Sequence, residues 1–151
     1  MIAALPAAIS CAATPIHFEA LPQGGSLSGL PWVQGVPHRR GIFGMLFGYD
    51  GELGTSFALF THGESPRGHS RKLLRIVRNR YAGGQIVLRG RELGGTATFR
   101  QWFGEVWDAS AQPAKGHEYA SIVNLPQAGC WRLDVKSGRA RATFVVQAVD
   151  G

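Results

Sequence analysis

The sequence predicts an all-β fold, an antiparallel sandwich of about seven to nine short strands. Three observations carry that expectation. From Leu30 onward the chain breaks into short apolar runs rich in Val, Ile, Leu and Phe. Between the runs stand turn residues such as Tyr49-Asp50-Gly51, Ala82-Gly83-Gly84, Gly94-Gly95 and Ser137-Gly138, the punctuation of successive hairpins. The 21 Gly and 8 Pro among 151 residues are too many for a helical bundle. At 44% hydrophobic and 17% charged residues, the composition excludes a disordered or acidic low-complexity chain. The length suffices for one buried core without metals or many disulfides.

Residues 1–29 read as a leader and a tether. Met1–Ala13, MIAALPAAISCAA, is apolar but far short of the ~20 residues that span a bilayer as a helix. It resembles the late part of a secretory signal. Ala8-Ile9-Ser10-Cys11 is similar to a lipobox, whose cysteine receives a lipid, and that lipid would be the chain's one membrane contact. An N-terminal arm whose apolar residues pack elsewhere is the competing reading. Pro15, Pro22, Gly24, Gly25, Ser26, Ser28 and Gly29 then make a loop, so the folded domain is expected over 30–151.

The expected strands are Leu30–Gln34, Gly41–Phe47, Ser56–Phe60, Lys72–Arg78, Gln85–Arg91, Thr96–Phe103, Tyr119–Val123, Cys130–Val135 and Arg141–Val149. Ser70–Tyr81 fits an amphipathic helix capped by Ser70 nearly as well as a strand. The β-branched pair Ile76-Val77 and the glycines after Tyr81 favour the strand. Gly44 and Gly90, inside runs, imply bulges or a close backbone approach. Near the C-terminus, Lys136-Ser137-Gly138-Arg139 supplies a hairpin turn. Alternation there puts Trp131, Leu133 and Val135 on one face and Cys130, Arg132 and Asp134 on the other. A turn, then Gly129, then Trp131 entering a core strand parallels the corner of immunoglobulin-like sandwiches, with Leu133 in the place of their disulfide cysteine. Gly129, Trp131 and Leu133 are therefore the expected structural anchors.

Pro126-x-x-Gly129-Cys130-Trp131, the hairpin after it and the Val-rich last strand resemble a set of bacterial exported, lipoprotein-like domains of unknown function. Lys72-Leu73-Leu74 and Ile86-Val87-Leu88-Arg89-Gly90-Arg91-Glu92-Leu93 look similar as well. The resemblance covers residues 30–149. It implies an immunoglobulin-like sandwich and an extracytoplasmic location, and it carries over no catalytic residue.

Charge is unevenly placed. All 16 Lys and Arg and nine of the ten acids lie in residues 39–151, a net +7, while Glu19 is the one charge before them. Half of the cations fall between Arg67 and Arg91 with no acid among them. Arg71, Lys72, Arg75, Arg78, Arg80, Arg89 and Arg91 are accordingly the candidate binding residues for an anionic polymer. The competing reading is a solvated basic face that also protects sheet edges.

No catalytic motif emerges. The histidines (His17, His38, His62, His69 and His117) lack paired ligand spacing, so no metal is expected. Gly68-His69-Ser70-Arg71-Lys72 starts like a nucleophile elbow but has Lys72 where that turn needs glycine. Lone glycine pairs are not phosphate loops. Glu105 and Asp108 near Trp102 and Trp107 suggest sugar contact, since aromatics stack on sugar faces. Cys130 is either a free thiol or the partner of Cys11, and a disulfide would exclude lipidation of Cys11. The expectation is a non-catalytic binding or structural module of the cell envelope, without cofactor, facing an anionic polymer or an envelope protein. Polyanion binding through 67–91 and carbohydrate binding near Trp102 and Trp107 are the alternatives.

Overall fold

Among the described residues the chain forms strands alone, each where apolar side chains alternate or run together. The computed structural model describes residues 10–20, 30–38, 41–47, 49, 54–61, 72–77 (backbone), 83–105 and 117–150. The strands are Ile16–His17 (β1), Trp32–Gln34 (β2), Ile42–Leu46 (β3), Ala58–Phe60 (β4), Lys72–Val77 (β5), Ile86–Glu92 (β6), Thr98–Phe103 (β7), His117–Ile122 (β8), Gly129–Ser137 (β9) and Ala140–Val149 (β10). Nine of them fall on the runs named from sequence, with ends displaced by a few residues. Residues 72–77 are strand, not helix.

Two five-stranded sheets pack face to face. The first has the order β1-β2-β3-β5-β8 and the second β4-β10-β9-β6-β7. All pairings are antiparallel except β4 with β10, which run parallel. The architecture is thus an all-β sandwich. Its sheets also meet at their borders: bridges join Val36 to Thr143 and Pro15 to Ser56 on one side. On the other side the Gln101 side chain donates to the Ile122 carbonyl and accepts from the Asn124 N–H.

The core fills the space between the sheets. Ile42, Ile86, Leu88, Tyr119, Val123, Leu133, Val135, Phe144 and Val146 all contribute, with Trp131 among the most deeply buried. β9 keeps a strict period of two. Trp131, Leu133, Val135 and Ser137 point inward and Arg132, Asp134 and Lys136 face water. β10 answers it through a two-residue turn at Gly138-Arg139, with Ala140 opposite Ser137 and Gly138 at φ +56°. At Gly90 the close neighbour is a side chain, not the bulge or backbone that its place inside a run implied: the Phe99 ring lies over it, where a Cβ would sit 2.0 Å from a ring carbon.

The N-terminal arm departs from the tether reading. Thr14 donates its N–H to the Val145 carbonyl, while its own carbonyl accepts from the Phe57 N–H, each at 2.8 Å. Its hydroxyl also accepts from the Val145 N–H. The arm therefore runs between β10 and the approach to β4. It then crosses to the other sheet, where β1 pairs with β2. A disulfide joins Cys11 to Cys130 and fixes the start of the arm against β9. Cys130 faces outward, as alternation requires, and is covered by that bond. The sulfur of Cys11 is occupied, which leaves no site for a lipid in this state.

Candidate anion-binding face

The outward side chains of the second sheet make one basic surface. β6 contributes Arg89 and Arg91, and β7 contributes Arg100. Arg132 and Lys136 come from β9, and Arg141 from β10; all six are exposed. Register places them in rows. Arg89 stands opposite Arg100 on one side and Asp134 on the other, and Arg91 is opposite Arg132. Lys136 pairs with Arg141. Neighbouring strands lie about 4.8 Å apart and successive same-face residues about 6.7 Å apart. A cation therefore occurs every few ångströms in both directions.

One acid sits within this surface. Asp134 accepts a hydrogen bond from Arg132 Nε at 3.0 Å and another from Thr143 Oγ1 at 2.7 Å. Among the described residues, Arg89, Arg91, Arg100, Lys136 and Arg141 have no carboxylate partner. A shallow groove of about 790 Å³ runs across the face. Val36, Val87, Arg89, Arg100, Asp134, Lys136, Arg141 and Thr143 are among its walls. A second groove is lined by the arm (Ala12, Ala13 and Thr14) together with Arg132, Thr143 and Val145. The disulfide-held arm thus borders one end of the basic surface.

Directly opposed like charges destabilise a strand pair. Arg89 against Arg100 and Arg91 against Arg132 are two such pairs. Edge protection does not account for them on β6 and β9, which are interior strands of the sheet. An anion laid across the rows would remove the repulsion and gain charge-assisted hydrogen bonds.

The described members of the basic block read from sequence are divided between the two sheets. Lys72 and Arg75 belong to β5 in the first sheet, whereas Arg89 and Arg91 belong to β6 in the second. The chain changes sheet between them. Arg71, Arg78 and Arg80 lie outside the described residues. Arg100, Arg132, Lys136 and Arg141, which complete the face, were not singled out from sequence because they converge only through register. Trp102 is outward on β7 and 61% exposed; Trp107 and Asp108 lie outside the described residues. Gly129 has φ +144°, a backbone shape reserved for glycine, and turns the chain into β9. Leu133 is buried, and the Trp131 indole donates to the Gln127 carbonyl at 3.1 Å.

Catalytic groupings are sparse among the described residues. Glu105 and His117 hydrogen-bond at 2.5 Å, yet neither lines the grooves above. No three His, Cys, Asp or Glu converge as metal ligands among the described residues. Tyr119 is buried, and its phenol shares a 2.9 Å hydrogen bond with Ser137 Oγ, which also accepts from the Gly83 N–H. Burial pushes the phenol above its ordinary value of 10.0, opposed by the Ser137 hydrogen bond and aided by the Glu105 charge. The folded state therefore keeps this proton at a pH where the unfolded chain loses it. Stability from this site is complete below about pH 10 and declines as pH rises further. Unfolding across that range should show a steeper alkaline loss in the wild type than in Tyr119→Phe; parallel curves would discount the site.

Comparison of the chain with models of protein families, with curated proteins and with solved structures found no match in any of the three.

Proposed function

We propose that this chain is an extracytoplasmic, non-catalytic binding module that holds an anionic polymer on the outer face of the β10-β9-β6-β7 surface. The observation that carries the reading is the outward face of this sheet, where Arg89 stands opposite Arg100 and Arg91 opposite Arg132, and where, among the described residues, Arg132 alone of the six cations has a carboxylate partner. Extracytoplasmic location is supported by the Cys11–Cys130 disulfide, a bond that persists in oxidising compartments. The signal-like leader and the resemblance of the Pro126 to Trp131 corner to bacterial exported domains point the same way. Two packed sheets around a buried tryptophan entering a core strand favour the immunoglobulin-like form of the sandwich.

The test is affinity for a polyanion as a function of salt. Each contact released should appear in the slope of log affinity against log salt, at roughly one unit per charge. The double variant Arg89→Gln, Arg100→Gln should lower that slope by about two and weaken binding at low salt by roughly tenfold or more. Lys72→Gln, on the other sheet, should leave both unchanged. An unaltered slope in the double variant, or absence of low-salt binding in the wild type, removes the proposal.

A further inference from the structure

We propose that the polymer is an acidic polysaccharide, and that Trp102 forms a sugar-stacking subsite at the border of the basic face; this rests on the polyanion reading above. Trp102 projects from β7 on the same side as Arg100 and is 61% exposed. A tryptophan so placed leaves a large part of its apolar ring open to a ligand. Among the described residues its indole stacks on no other ring.

Its surroundings suit one sugar ring followed by charged neighbours. Val87 stands directly opposite Trp102, and Lys136 stands opposite Val87 on the far side. Arg141 continues the row on β10. Crossing the sheet, the row reads indole, aliphatic side chain, cation, cation, at about 4.8 Å per step. The indole and the valine offer an apolar floor to the C–H face of a pyranose. The next two positions meet carboxylate or sulfate groups on the following sugars, and Arg89 and Arg100 flank the row from the adjacent one. Arginine forks hold such planar or tetrahedral anions through paired hydrogen bonds.

Single-stranded nucleic acid fits this pattern less well. Proteins that hold it without sequence preference stack successive bases on several aromatics along a basic groove. Here the described outward positions of the sheet carry one exposed aromatic, at the edge strand, beside a group of cations. A ligand of alternating rings and charges matches one stacking position followed by a field of arginines.

The experiment uses the intact, disulfide-bonded chain and three probes: polygalacturonate, an oligo-dT strand and neutral dextran, each titrated at low salt with tryptophan fluorescence and calorimetry. Polygalacturonate should bind tightest and shift the fluorescence, and Trp102→Ala should weaken it by about tenfold. That side chain is exposed, so the variant should keep its unfolding midpoint, and Trp102→Phe should restore much of the affinity. Oligo-dT binding should be weaker and nearly indifferent to Trp102→Ala, with dextran inert. Polygalacturonate binding untouched by Trp102→Ala overturns the stacking subsite while leaving the charged face intact. Oligo-dT binding that is tighter and Trp102-dependent replaces the polysaccharide with nucleic acid. Failure of both polyanions to bind removes this inference and the polyanion reading together.

Discussion

Replacing Cys11 with Ser should destabilise the protein by about 5 kcal/mol, the loop-closure entropy returned to the unfolded chain when residues 119 apart are no longer tied. A typical domain is stable by only about 5–15 kcal/mol, so this one bond decides whether the fold survives. The native state loses more than the tether. Freed at Cys11, the arm holds its place by the hydrogen bonds of Thr14 to Val145 and Phe57 and of Ile16 to Thr55. Those bonds cover the gap between β10 and the approach to β4 and keep Ile16 in the core. Urea unfolding with and without reductant is the measurement. Cys11→Ser, Cys130→Ser and the reduced wild type should share one lowered midpoint, and reductant should not move either variant further. Equal midpoints for oxidised and reduced protein would show that the arm is held by its hydrogen bonds alone. The same loss bears on location: a chain that needs this bond folds poorly where thiols are kept reduced.

How much of this could be read beforehand depends on sequence distance. Strands β2 to β10 were visible because each is a local apolar run closed by turn residues, and the β9–β10 hairpin was visible down to its faces. Trp131 inward and Arg132 outward follow from a period of two, which needs no partner strand. β1 was not visible. Two residues beside Pro15, followed by a glycine-rich stretch, carry no periodicity, and what makes Ile16–His17 a strand is Val33 and Trp32, residues beyond that stretch. The placement of the basic residues shows the same dependence in the opposite sense. Arg75 and Arg89 are near in sequence but sit in different sheets, because the chain crosses over between β5 and β6. Arg91 and Arg132 are distant in sequence but directly opposite through register. Composition and local pattern show that a chain is basic; pairing decides where the charge accumulates. The Cys11–Cys130 bond likewise depends on tertiary placement, which brings the two Cα atoms to 5.4 Å.

Trp131→Ala should cost about 3–5 kcal/mol, the usual consequence of deleting a buried large aromatic, because nothing nearby can move in to fill the space. The indole has no solvent exposure. Its N–H is satisfied by the Gln127 carbonyl, and Phe99 meets it edge to face at 5.4 Å. Phe99 is itself confined, since its ring lies over Gly90 and the bare backbone there is what lets it reach Trp131. The three positions should therefore act as a unit. Gly90→Ala places a methyl inside the Phe99 ring and should cost about 1–3 kcal/mol as overpacking, by driving that ring off the indole. In a Phe99→Ala background the same Gly90→Ala change should cost far less, because the clash is gone. Trp131→Ala combined with Phe99→Ala should fall short of the sum of the single losses, with a coupling of about 0.5–1.5 kcal/mol for the aromatic pair. Urea midpoints of the single and double variants measure each term. Strict additivity across all of them would mean that the three groups are neighbours without being coupled, and that the core around β9 is held by burial alone.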